Sequence, residues 1–383
     1  MLRTITLAGL LVMPLLLVGC GGGSKVTKEE VKTDGTTAPA ESSKSSVGKK
    51  RLIFLTNVED DFWNTCRAGL QEGAKTYELE SAGLTVVMDK NNQEAEGQIN
   101  KLRQYGSESD VAGVAISVIR ADNKAIATEL RNLQKKGIKV ITVDGDVNRE
   151  KYRDARTFYI GTDNHIGGLT LGTATKRVLE SRQLKSGGYV QFVGYTDNDN
   201  ARARMDGFKE AVGKAFEERD RMADEAKRGK SAENVRIALD KNPDGLAVLV
   251  GIWAYNAPVI AKVVEERKVR EKVTVATFDA AADAIQEMDK GNIDVMVVQN
   301  PFDMGVQTVR LLKAMVTSDD NTVKEMFPNN GKPDGDVYTT GLRVIVPSEA
   351  SPIKADLFDP KIVEFMTLPK LKEWLAKYKL TCT

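Results

Sequence analysis

From residue 51 onward, short apolar, β-branched runs alternate with longer segments of helical periodicity. That alternation constrains the chain more than any other feature. The runs are 51–56, 84–88, 112–117, 138–143, 157–161, 188–193, 246–250, 273–278, 293–299 and 341–347. Stretches such as LTVVM and IKVITV lack the apolar–polar alternation of a half-exposed strand, so they read as parallel strands buried on both faces. Helical stretches at 62–79, 92–106, 121–136, 165–181, 201–215, 255–268 and 303–317 lie between them. The fold class is therefore α/β with parallel sheets. Ten strands fill more than one comfortable sheet, so two similar βα lobes are expected. Phe216 to Lys230, FEERDRMADEAKRGK, sits where a strand belongs but is dense in both charge signs. It reads as a solvated helix, a loop or a poor edge strand.

The first fifty residues stand apart from this pattern. Arg3 precedes an apolar stretch, Thr4 to Gly19, that Pro14 interrupts. This fits a secretory h-region better than a membrane span. It ends in LVGC, which resembles a bacterial lipobox, so residues 1–20 are read as a lipoprotein signal peptide with Cys20 as the lipidated residue. Acyl chains on Cys20 would anchor the protein at roughly 0.8 kcal/mol per buried methylene. Residues 21–50 are rich in Gly, Ser, Thr and Lys, with too little apolar surface to fold. They read as a flexible tether with a reach of roughly 30 Å. The folded part is expected to work outside the cytoplasm, in the periplasm or at the cell exterior, close to a membrane.

In open α/β sheets, ligands bind beyond the carboxyl ends of the strands. Here the residues at those ends are polar and aromatic: Asp60, Asp61, Phe62 and Trp63; Asp144 to Asp146; Thr162 to Asn164; Thr196 to Arg204; Trp253, Tyr255 and Asn256; Asp279; Gln299 and Asn300. Carboxylates, amides and a guanidinium match paired sugar hydroxyls. An aromatic plane suits the apolar face of a pyranose. The formal net charge of +1 comes without a long basic block, so nucleic acid is not expected as a partner. The single histidine, His165, removes most histidine-based metal sites, and neither metal nor cofactor is expected.

Five segments in order carry a resemblance: DDFWN at 60–64, ITVDGD at 141–146, YIGTDNHIGG at 159–168, NARARMDGFKEAV at 200–212 and TFDAAADAIQEMDKGNIDVMVVQNP at 277–301. Their order and spacing resemble the periplasmic sugar-binding proteins of ABC importers, the ribose-, galactose- and xylose-binding group. The resemblance implies two Rossmann-like lobes with parallel sheets, joined by three hinge crossovers, that close on a sugar. By it, residues 51–161 plus 300–335 form the N-terminal lobe and 162–299 plus 336–350 the C-terminal lobe. Residues 351–383 then form a tail packed on the lobes. The resemblance places Asp60, Phe62 and Trp63 in the site after the first strand, one aromatic stacking on the ligand and the other packing. It adds Asp144, then Arg202 of the ARxRxxGF helix. Asp279 and Gln299 match the acid and amide at the second and third crossovers. Asp146 and Asn200, in the same loops, are included. The ligand position after the 246–250 strand falls on Ile252 or Trp253, with Trp253 favoured as a second stacking plane. Gly145 stands where ribose-binding members carry arginine, which speaks against ribose and opens space for a larger sugar. The glycines of GTDNHIGG read as aids to hinge and helix packing rather than a phosphate loop.

The expected function is capture of a monosaccharide for an ABC permease by a monomeric, lipid-anchored protein. The alternative is sugar presentation to a chemoreceptor or sensor kinase. An enzyme is not expected, because no short segment supplies an acid and nucleophile pair. A repressor built on the same lobes is opposed by the export signal. With Cys20 lipidated, Cys66 and Cys382 remain, and an exported protein favours their pairing as a disulfide that pins the tail to the first lobe.

Overall fold

The computed structural model describes residues 48–58, 61–243 and 245–383. Cys20, most of the tether and Asp60 lie outside them.

The first lobe begins with β1 (Lys50–Leu55), α1 (Asp61–Thr76), β2 (Leu84–Asp89), α2 (Ala95–Ser107), β3 (Val111–Ile116) and α3 (Lys124–Lys135). It continues through β4 (Lys139–Val143), the short α4 (Arg149–Tyr152) and β5 (Phe158–Gly161). The second lobe runs through α5 (Asn164–Ser181), β6 (Gly187–Val193), α6 (Asp199–Val212), β7 (Phe216–Ala223), α7 (Arg228–Lys241) and β8 (Leu246–Gly251). Then come α8 (Asn256–Arg267), β9 (Thr274–Phe278), α9 (Ala282–Asp289) and β10 (Val295–Val298). The chain returns to the first lobe for α10 (Pro301–Thr317), α11 (Asp320–Met326) and β11 (Val337–Thr339). It ends in the second with β12 (Leu342–Val346), β13 (Val363–Thr367) and α12 (Leu368–Lys377).

Two sheets result, in the orders β11-β5-β4-β3-β1-β2 and β13-β12-β10-β9-β8-β6-β7. All pairings are parallel except β10 with β12. Each lobe repeats one winding, so β1 and β6 occupy equivalent places, one in from the sheet edge. The chain passes between lobes three times, after β5, β10 and β11. Strand residues such as Leu52 to Leu55 and Val295 to Val298 are at most 1% exposed, as burial on both faces requires. Helix starts are fixed by side-chain caps: Asn123 on α3, Asp163 on α5, Asn198 on α6 and Asn300 on α10.

Glycines let helix pairs meet closely. A Cβ on Gly207 of α6 would stand 2.3 Å from the His165 carbonyl on α5, and one on Gly305 of α10 would stand 2.2 Å from the Cys66 carbonyl on α1. This close helix packing agrees with the reading of the GTDNHIGG glycines, since Gly168 backs directly on α6.

The structure decides the open charged segment and corrects one lobe boundary. The charged 216–230 segment contains β7, an edge strand beside β6, whose charges are held laterally: Glu218 accepts from Gln191, Lys209 and Arg221. Val337–Thr339 pairs with β5 in the first sheet, so the third crossover follows residue 339 and the lobe boundary is not at 335. The tail is not an appendage: β13 pairs with β12, and α12 buries Leu368, Leu371 and Leu375 in the second lobe's core.

Candidate functional site

The carboxyl ends of both sheets face one region. On the first lobe, α1 starts there with Phe62 and Trp63. Trp63 is only 3% exposed, lies 5.4 Å from Phe54 and donates its indole N–H to Asn57 at 3.0 Å. It is a core anchor, not a ligand plane. Phe62 meets it edge-on at 4.9 Å and remains half-buried at the strand end. Successive residues on a helix point about 100° apart, so only one of the two can enter the core.

Asp144 follows β4 in a left-handed conformation, φ 62°, and its N–H bonds the Ile160 carbonyl at 2.9 Å. Asp279 follows β9 in the second lobe with φ 61° and bonds the Val297 carbonyl at 2.8 Å. The two acids are thus equivalent positions in the repeated winding. Left-handed non-glycine residues cost energy and gather at ligand sites. Burial pushes the Asp144 carboxyl up to about 6. Arg204 opposes that rise, Asp279 adds to it, and the Ser117 hydroxyl, 3.4 Å away, offsets part of it. The Asp279 charge therefore reaches Asp144 across the lobes. Asp279 lies directly after β9 and not at a crossover, whereas Gln299 lies in the second crossover. Gln299 donates to Asp279 at 3.3 Å, and its buried Oε1 meets no partner among the described residues.

The guanidinium of the site is Arg204 rather than Arg202. Arg202 is 53% exposed and pairs with Asp199 on the same helix. Arg204 is 3% exposed. It donates to Asn164 at 2.8 Å and the Ile252 carbonyl at 3.1 Å, approaches Asp279 at 3.5 Å, and covers the Phe278 ring at 4.7 Å. The signal was present in the helix period: Arg204 shares its face with Ala201 and Phe208, both buried, while Arg202 points the opposite way. Asn200 lies half-buried in the first turn of α6.

Asp146 does not join these groups. It accepts from Arg156 at 2.8 Å, Arg149 at 2.8 Å, the Val147 N–H at 2.9 Å and Thr142. Against its burial, Arg156 with Thr142 and Arg149 holds the carboxyl below the usual range. Arg156 also binds Asp336, making a structural network inside the first lobe. Gly145 does not open space for a sugar: a Cβ there would stand 2.6 Å from the Val118 carbonyl.

Trp253 follows β8 and is half-buried, its indole resting on Gly194, where a Cβ would lie 2.0 Å away. Tyr195 and Tyr255 pack edge-on to it at 6.0 and 6.3 Å. Ile252 is wholly buried, so Trp253 is the residue of the two with surface to offer. Tyr195, 44% exposed, is not marked in the sequence, because a single tyrosine after a strand carries no periodic signal.

The expected Cys66–Cys382 disulfide is not formed. Cys66 points into the apolar layer beside Leu70, and burial pushes its thiol well up. Its neighbour Thr65 is the residue that meets the tail, donating to the Cys382 carbonyl at 2.9 Å. No group of metal-ligating residues occurs among the described residues, and no helix among them is long and apolar enough to cross a membrane.

Two parallel α/β lobes, three crossovers and convergent polar groups between the strand ends define a bilobal ligand-binding protein. The family described as periplasmic binding protein domain matches residues 52–320, and the chain belongs to it. The D-allose-binding periplasmic protein of Escherichia coli is 23% identical over 270 residues, covering 68% of this chain and 82% of that protein. An ABC-transporter solute-binding protein from Burkholderia graminis, solved with D-arabinose, superposes with a TM-score of 0.65. It is 22% identical and covers 79% of this chain and 96% of its own. Another from Agrobacterium vitis, bound to α-D-tagatopyranose, gives 0.64 at 20% identity, covering 82% and 98%.

Proposed function

We propose that the protein captures a monosaccharide between its lobes outside the cytoplasm and delivers it to an ABC-type permease. The observation that carries this reading is the convergence of Asp144 from the first lobe with Arg204, Asp279 and Gln299 from the second. Two carboxylates accept from ring hydroxyls, while Arg204 and Gln299 donate to them. Such charge-assisted bonds contribute roughly 1.5–3 kcal/mol each. Phe62 and Trp253, from opposite lobes, supply stacking faces. The ligands named for the matched relatives, D-allose, D-arabinose and α-D-tagatopyranose, are monosaccharides and support the same class.

A ligand that meets both lobes only when they are closed shifts the population toward closure. A Kd of about 1 μM corresponds to about −8.2 kcal/mol. Lipidation at Cys20 would hold the protein at the membrane beside its permease. The test is a thermal-shift panel of pentoses, hexoses and inositols. Ligand at 100 times Kd stabilises by about 2.7 kcal/mol. Absence of any shift across the panel, or turnover of a sugar by the purified protein, overturns the assignment.

A further inference from the structure

From α12 to residue 383 the chain touches both lobes. Toward the second lobe, Leu380 packs on the core that holds Ile285 and Met288, and Lys372 pairs with Asp289 at 2.8 Å. Thr383 exchanges two backbone hydrogen bonds with Ala280, each 3.2 Å. Toward the first lobe, Thr65 of α1 donates its hydroxyl to the Cys382 carbonyl at 2.9 Å. Trp374 and Tyr378 pack on Phe302 of α10 at 5.5 and 4.5 Å. Thr65, Cys382 and Thr383 are all buried.

The placement matters. Ala280 directly follows the site acid Asp279, and Thr65 lies one turn beyond Phe62. The segment therefore spans from one wall of the cleft to the other, beside the candidate ligand groups. We propose that residues 380–383 are an interlobe strap that holds the closed arrangement and raises ligand affinity. The strap is carried by the second lobe, because its apolar contacts and paired backbone bonds are there. Phe302 lies just past the second crossover, close to where the lobes pivot, so its ring contacts survive a hinge rotation. The Thr65–Cys382 bond joins the moving walls and is the contact that opening must break. Preorganising the closed state removes part of the conformational cost of binding. The proposal rests on the reading of the lobes as a closing pair but not on the identity of the ligand.

Small-angle scattering on the ligand-free full chain tests it, comparing wild type with Thr65→Val, Thr65→Ser and a variant lacking residues 381–383. Thr65→Val and the deletion are expected to increase the radius of gyration, while Thr65→Ser, which keeps the hydroxyl, matches wild type. Binding of whichever sugar stabilises the protein is expected to weaken roughly fivefold in Thr65→Val, as for loss of one net hydrogen bond. An unchanged radius in Thr65→Val overturns the strap, even if the deletion fails to fold. If no sugar binds the wild type, the sugar assignment fails and the scattering comparison still decides the strap.

Discussion

Asp144→Asn is the substitution that most directly interrogates the site. Burial raises the Asp144 carboxyl from the ordinary 3.8 to about 6. At about 1.36 kcal/mol per pH unit, and with some of its surface still in water, ionising it costs the ligand-free fold about 2–3 kcal/mol. The sign follows from linkage. A carboxyl with a raised folded pKa contributes stability that is complete below pH 3.8 and lost as pH rises through about 6. Asparagine tolerates the left-handed backbone and still accepts from Ser117. Arg204, Asp279, Cys66 and Tyr159 all stay in place around the substituted side chain. Urea unfolding of both proteins from pH 4 to pH 8, without ligand, is the assay. The variant should match wild type at pH 4 and exceed it by about 2–3 kcal/mol at pH 7.5. Sugar affinity should move the opposite way, rising through pH 6 in wild type and flat in the variant, because hydroxyl donors favour the carboxylate. Parallel stability curves across the range would refute the placement of a desolvated acid in the cleft.

Other expectations separate residues that look alike in the sequence. Arg204→Met should abolish the sugar-induced thermal shift and destabilise by about 3–5 kcal/mol, because it removes the cation beside the buried Asp279 carboxyl; Arg202→Met should stay within about 0.5 kcal/mol in unfolding experiments. Trp63→Ala should cost about 3–5 kcal/mol of stability, whereas Phe62→Ala should chiefly weaken binding by calorimetry. Arg156→Leu removes the buried cation shared by Asp146 and Asp336, leaving them Arg149 and Arg153, and chemical denaturation should show a loss of about 3–5 kcal/mol at neutral pH. Against burial, Arg153 and Arg156 hold Asp336 at about 2, so its stabilisation is present above pH 3.8 and lost as pH falls through about 2.

Much of the fold was legible because it is written in local periodicity. Buried parallel strands need continuous apolar runs, and all ten runs became strands, although LTVVM, read as buried on both faces, forms the edge strand β2 and is only partly buried. The strands missed or left open were those with other supports. β7 is an edge strand whose charges pair sideways, β11 has three residues, and β13 is stabilised by its neighbour β12. The candidate side chains lie in the loops after the strands, since winding alone puts strand ends there.

The sequence by itself determined two α/β lobes, the polar character of the strand ends and the candidate acids Asp144 and Asp279. Only the tertiary structure decided which side chain in each loop turns inward. Arg204 displaced Arg202 because α6 buries one face against α5. Trp63 went to the core and Phe62 did not. Asp146 was taken by Arg156 and Arg149, and Gly145 was filled by the Val118 backbone. The end of the tail came to lie between Thr65 and Ala280. Each of these outcomes depends on partners distant in sequence. Local propensity encodes the period of an element, while the face it buries and the charges it meets are set by what packs against it.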